Sequence, residues 1–217
     1  MPICLILGSL LLVAPGIWAA SRAPGELRRT GRISQPTFLG GFASFMGVGV
    51  ATIAAAILGE WPLPIDPLVG KIAGVASAAF GAFVYLAGRI RFRSFGRAWG
   101  LTNDQLVTGG IYRYTRNPQV VGFLFMYLGA ALAGGSVSAL ILTAEYLVSL
   151  IIWLPFEERI LEAQYDEPYR VYRTTVPRFF GLPRRQPRPF PRPTRAATHS
   201  EPIPEIHTRR PEHARVS

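Results

Sequence analysis

The chain has 217 residues, 49% of them hydrophobic and 17% charged, and a formal net charge of +10. So much apolar sequence with so little charge argues for a membrane protein rather than a soluble enzyme. A single cysteine, Cys4, excludes an internal disulfide, and with His199, His207 and His213 all near one end a structural zinc site is not expected.

The first apolar run, Ile3 to Ala20, holds 18 residues, the short end for a spanning helix. A secretory signal peptide would carry its basic residues before the run, whereas Arg22, Arg28, Arg29 and Arg32 follow it. A retained helix is expected, with Pro15 and Gly16 disturbing its last turn. Phe38 to Leu58 gives 21 uncharged residues, ample for a second span. Leu68 to Ile90 is the third, with Lys71 expected to snorkel to the interface. Gly74, Ala78 and Ala82, four apart, allow close helix packing in lipid.

Gln119 to Phe156 is 38 residues long. As one helix it would extend about 57 Å, nearly twice the hydrocarbon thickness of about 30 Å. A break is therefore predicted at Gly134-Gly135-Ser136, giving a short arm, 119–133, and a full arm, 137–156. Pro155 should disturb the last turn of the second arm. The expected architecture is an all-α, polytopic membrane protein of about five transmembrane helices ending in a helical hairpin. Residues 1–182 form its membrane domain, with 88–182 as the chemically informative half. From Pro183 onward eight prolines and a dense set of arginines read as a disordered tail, 183–217.

The arginines fix an orientation. Loop 21–37 has four, 88–118 has six and 157–217 has twelve, while 59–67 and 134–136 have none. With five helices the arginine-bearing segments share one side, which the positive-inside rule makes cytoplasmic, leaving the N-terminus outside. Topology thus accounts for the positive charge, so no nucleic-acid partner is inferred. Attraction to anionic lipid headgroups follows from the same charge.

The polar stretches flanking the hairpin carry the motifs. Leu106, Val107, Gly110, Tyr112, Arg116, Pro118 and Gly122 lie before the first arm, and Glu157, Glu158, Leu161, Tyr169, Tyr172, Val176 and Pro177 follow the second. This ordered set resembles the C-terminal half of integral-membrane methyltransferases of the isoprenylcysteine carboxyl methyltransferase and phospholipid methyltransferase superfamily. The family pattern runs L-V-x-x-G-x-Y-x-x-x-R-H-P-x-Y-x-G, then a hairpin, E-E-x-x-L and Y-x-x-Y-x-x-x-V-P. The resemblance implies S-adenosylmethionine as cofactor and a lipid-like acceptor entering between helices at the cytoplasmic face. It carries a cofactor-binding role to Gln105, Leu106, Val107, Tyr112, Arg116, Asn117, Pro118 and Glu157. Arg116, beside amides at a helix start, suits a carboxylate, and Glu157 suits an ammonium or ribose hydroxyls.

Three positions depart from the pattern. The family histidine is Asn117, which hydrogen-bonds but takes no proton near neutral pH. The next family tyrosine is Val120. Where isoprenylcysteine enzymes carry an arginine one turn before the first glutamate, this chain has Trp153. Trp153 and Glu145 are candidate substrate contacts, Glu145 because an ionisable group at membrane depth is costly. Two other readings remain: an NADPH-dependent membrane reductase of sterol-reductase type, and a non-catalytic protein on the same scaffold. For the topology, reporter fusions after Leu58 and after Arg178 should report opposite sides of the membrane, and finding both on one side would sink the five-helix arrangement.

Overall fold

The computed structural model describes residues 2–30, 33–59, 61–91 and 106–184. The expected tail lies outside them from residue 185 on, as does Gln105. The described residues fall in one compact unit, Met1–Arg185. They contain six α-helices, α1 (Pro2–Thr30), α2 (Gln35–Leu58), α3 (Pro67–Ile90), α4 (Pro118–Ala133), α5 (Val137–Tyr165) and α6 (Glu167–Thr175), with a short 3₁₀ turn at Gly110–Arg113. No strand forms among the described residues, so the all-α expectation holds.

By length and composition α2, α3 and α5 can each cross a membrane, and α4 is a shorter apolar helix. Its 16 residues reach about 24 Å, somewhat less than a hydrocarbon core of about 30 Å. Outward-facing Leu68, Val69, Ile72, Val75, Phe83, Leu86 and Ile90 give α3 the exposed apolar surface that lipid requires. Lys71 is exposed near the start of that helix, in accord with snorkelling.

The hairpin breaks where composition placed it. Gly135 takes φ +58°, and Ser136 caps α5 by accepting a hydrogen bond from the Ala139 amide at 3.2 Å. The loop after α2 clasps this turn: Leu63 N–H donates to the Gly135 carbonyl and Val137 N–H to that of Trp61. Asp66 caps α3 through the amides of Leu68 and Val69.

Two expected helix ends are corrected. The first helix does not stop at Ala20 but runs from Pro2 to Thr30 through both Pro15 and Pro24. The second arm does not end near Phe156; it continues through Pro155 to Tyr165. Proline removes one backbone donor, and packing beyond that point outweighs the loss.

Packing of α3 against α4 is the most extensive helix contact, and small residues allow it. A Cβ added to Gly74 would meet the backbone of Gly129 and Ala133, and one on Gly81 would lie 2.6 Å from the Gly122 carbonyl oxygen. Gly88 faces the Pro118 ring at 2.8 Å in the same sense. Of the small residues read from the sequence, Gly74 and Ala78 lie in this seam. Ala82 is only half-buried, and Gly81 occupies the seam there. Gly129→Leu should therefore destabilise the protein by about 1–3 kcal/mol or more by overpacking. Gly25→Ala, with nothing within 4 Å, should instead be neutral or gain about 0.5–1 kcal/mol. Thermal unfolding in detergent distinguishes the two.

Candidate functional site

Before α4 the chain makes a tight polar approach. Gly110 has φ +66°, and a Cβ there would lie 2.7 Å from the Arg91 guanidinium, so only glycine starts the 3₁₀ turn without strain. The turn buries Tyr112 against Tyr169, Tyr172 and Val176, with Leu106, Val107, Ile111, Leu161 and Tyr165 packed around them. Pro118 occupies the first turn of α4, where its missing N–H costs nothing.

The segment after α6 returns along this approach and is tied to it by main-chain bonds. Arg116 N–H donates to the Pro177 carbonyl at 3.1 Å, and Gly181 N–H to the Tyr114 carbonyl at 3.1 Å. The Tyr172 hydroxyl donates to the Tyr112 carbonyl at 2.8 Å. Asn117 Nδ2 donates to the Arg178 carbonyl at 2.9 Å. The side chain standing where the family has histidine thus braces the returning segment, and it makes no capping bond to α4.

A buried carboxylate sits where these segments meet α5. Glu158 accepts two hydrogen bonds from Arg178, Nε to Oε1 at 2.9 Å and Nη2 to Oε2 at 2.8 Å. Arg116 Nη2 lies 3.1 Å from Oε1, with side-chain exposures of 9% for Arg116 and 7% for Glu158. The hydrogen bonds to Glu158 raise the Arg178 pKa from its usual value, against the opposing effect of burial. Arg116 spends only one nitrogen on Glu158. Its Nε and Nη1 are buried without a hydrogen-bond partner among the described residues, and so is the Tyr169 hydroxyl. Glu157, half-buried, makes no hydrogen bond or ion pair among the described residues; burial, then the neighbouring Glu158 carboxylate, push it up to about 7, and when ionised it acts on Tyr112. Burial pushes the Tyr112 phenol up, aided by Tyr172 and Glu157 and eased by a hydrogen bond with Gln119. At the far end of α5, exposed Arg170 and Arg173 pair with Glu162, Asp166 and Glu167 and fasten α6 weakly.

Of the residues singled out from sequence, the structure gathers Leu106, Val107, Tyr112, Arg116, Asn117, Pro118 and Glu157 at one end of the helices. Gln105 falls outside the described residues. Arg116 meets Glu158 rather than Glu157. Trp153 and Glu145 lie elsewhere on α5. Trp153 packs against Gly41 and Phe45 and lines a narrow cleft of about 50 Å³ between α1, α2 and α5, walled by Val13, Ile17, Ser44 and Ile152. Glu145 is half-buried 12 residues before Glu157, about 18 Å along the helix. Sequence reasoning gave no role to Glu158, Arg178 and the Tyr169 hydroxyl. The arginine directly after Val176-Pro177 was the available signal, because an arginine locked to a structural turn has a fixed reach.

Together the fold and this charged cluster describe an all-α membrane protein with a polar site at one end of its helices. Residues 69–168 match the family described as phospholipid methyltransferase. The chain is also 40% identical over 85 residues to the protein-S-isoprenylcysteine O-methyltransferase of Schizosaccharomyces pombe, a stretch covering 36% of this chain and 33% of that protein. The match therefore spans about a third of the length of the curated relative. No solved structure matches the chain. The two matches bear out the resemblance to the superfamily of integral-membrane isoprenylcysteine and phospholipid methyltransferases.

The ion-pair geometry makes a stability prediction. Glu158→Ala leaves the buried Arg116 without a countercharge and should cost about 3–5 kcal/mol. Arg178→Ala removes a side chain that is 35% exposed, so water screens the loss, and about 1 kcal/mol is expected. Chemical denaturation in detergent should rank the variants in that order.

Proposed function

We propose that the protein is a membrane methyltransferase that uses S-adenosylmethionine and acts on a lipid-like acceptor at the cytoplasmic face. The observation that carries this reading is the half-used guanidinium of Arg116. A buried arginine with two unpartnered nitrogens fits a carboxylate, and Glu157 nearby offers an unengaged carboxylate to an ammonium or to ribose hydroxyls. These are the charged groups at the two polar ends of the proposed cofactor, so the residues present fit it. The family match and the isoprenylcysteine relative support the same assignment.

When bound, S-adenosylmethionine supplies an electrophilic methyl group on a sulfonium. The chain's own contribution is to bind, orient and exclude water. Arg116 holds the carboxylate end, Glu157 orients the other, and Tyr112, Leu106 and Val107 close a dry wall beside them. In such surroundings positioning and desolvation do most of the work. Asn117 and Pro118 set the direction of Arg116 by fixing the backbone that follows it. Trp153 stands four residues before Glu157, about 6 Å along α5, a placement that suits contact with the acceptor's hydrocarbon. The cytoplasmic placement rests on the one-sided arginines.

Equilibrium binding of labelled S-adenosylmethionine to detergent-purified protein, with NADPH in parallel, tests the reading. Binding of NADPH alone would transfer the site to a reductase, and binding of neither would leave a non-catalytic scaffold. Arg116→Ala and Glu157→Ala should each weaken S-adenosylmethionine by more than tenfold, a loss of about 2–5 kcal/mol by analogy with truncated buried charge pairs. Arg116→Lys keeps a countercharge for Glu158 but has no second edge to offer, so it too should bind weakly in a folded protein. The exposed Arg113, replaced by alanine, should bind as the parent does. If Arg113→Ala and Arg116→Ala weakened binding equally, the role of Arg116 would be diffuse charge.

A further inference from the structure

Tyr169 is only 1% exposed, yet its hydroxyl has no hydrogen-bond partner among the described residues. Arg116 stands beside this phenol and acts on it by its charge and by a side-chain contact, but neither the hydroxyl nor Nε and Nη1 of that guanidinium makes a well-formed hydrogen bond among the described residues. An unmet buried hydroxyl is costly, and an unmet charged nitrogen more so. Phenylalanine would fill the same space among Tyr112, Tyr172 and Val176 without that cost. Burial, then the Glu158 carboxylate, push the phenol up to about 12, while Arg116 opposes them. The hydroxyl therefore stays protonated and remains a donor near neutral pH. Glu158 already takes three contacts from the two arginines. Unspent donors of Tyr169 and Arg116 thus stand in a water-poor place beside a trio with one excess positive charge.

We propose that the Tyr169 hydroxyl and one free N–H of Arg116 form one oxyanion subsite, with Tyr169 a ligand contact. The oxyanion is the carboxylate of the methyl donor's amino-acid end or the phosphate of a lipid headgroup. The first source rests on the methyltransferase reading above; the second does not. Glu158 and Arg178 act as positioning residues, fixing the Arg116 Nη2 corner so that a remaining N–H beside Tyr169 is held towards the ligand. The subsite has no other acceptor to satisfy it among the described residues, which is why an anion completes it.

Tyr169→Phe is the test, made in the full chain purified in detergent. The probes are S-adenosylhomocysteine, 5′-methylthioadenosine (which lacks the amino-acid carboxylate) and soluble dihexanoyl phosphatidic acid. The variant should melt at the same temperature as the parent or higher, because it loses an unpartnered buried hydroxyl. S-adenosylhomocysteine should bind about tenfold more weakly or worse, as for loss of one charge-assisted hydrogen bond, while 5′-methylthioadenosine is unaffected. A loss confined to phosphatidic acid would keep the subsite and assign it to a headgroup. Unchanged binding of all three probes overturns the subsite and leaves the methyl-donor reading standing. A lowered melting temperature with equal losses for all three overturns it as well, since the hydroxyl would then serve the fold. A parent protein that binds phosphatidic acid but not S-adenosylhomocysteine refutes the methyl-donor reading alone, and one that binds neither refutes both.

Discussion

One buried carboxylate, Glu158, is shared by two arginines that reach it from different parts of the chain. Arg178 holds it with two hydrogen bonds and Arg116 with an ion pair at 3.1 Å. Removing three charges from water is costly, and only close geometry with additional hydrogen bonds offsets that cost. Two guanidiniums this near one another would repel by roughly 4 kcal/mol at 4 Å and an effective dielectric of about 20. The shared carboxylate is what makes their proximity tolerable. It balances only one of them, so a positive charge remains on the side of Arg116 that water does not reach.

The rest of the architecture serves to bring those three side chains together. Glu158 lies beyond Pro155 on α5, Arg116 just before α4, and Arg178 on the segment that returns after α6. The glycine seam between α3 and α4 seats Pro118 against Gly88, and that contact fixes the backbone next to Arg116. Main-chain bonds from Arg116 to Pro177 and from Gly181 to Tyr114 then hold the returning segment in register. The side chain of Asn117, bonded to the Arg178 carbonyl, ties the two arginine backbones to each other directly. An asparagine cannot shuttle a proton as histidine can, but it donates well to a carbonyl. Its presence here is explained by this brace.

Much of the fold was legible because it depends on composition. Glycine and serine at 134–136 had to break a run too long for one bilayer crossing, and the break is where those residues are. The prolines misled. Pro15 and Pro155 each remove a helical hydrogen bond, but a helix ends only when the turns beyond have nothing to hold them. Beyond Pro155 the next turns carry Glu158, fixed by both arginines, and Leu161, packed on the tyrosine cluster. The anchorage of Glu158 comes from residues 20 and 42 positions distant and has no local signature. The site was half legible for the same reason: its residue types and order could be read, its pairings could not.

Adjacent glutamates show why pairings need three dimensions. Successive helical residues are turned by about 100°, so Glu157 and Glu158 face different neighbours although their sequence contexts are nearly identical. Glu158 is turned inward and is consumed in holding the fold. Glu157 is left half-buried and unengaged. Arg116 divides in a similar way within one side chain, Nη2 on Glu158 and Nε and Nη1 unspent among the described residues. Each charged residue that braces the structure therefore stands next to a charged group of the same kind left over from it. On the proposed methyl-donor reading, a zwitterionic amino-acid end would meet the free donors of Arg116 and the Glu157 carboxylate together without adding net charge to a dry site.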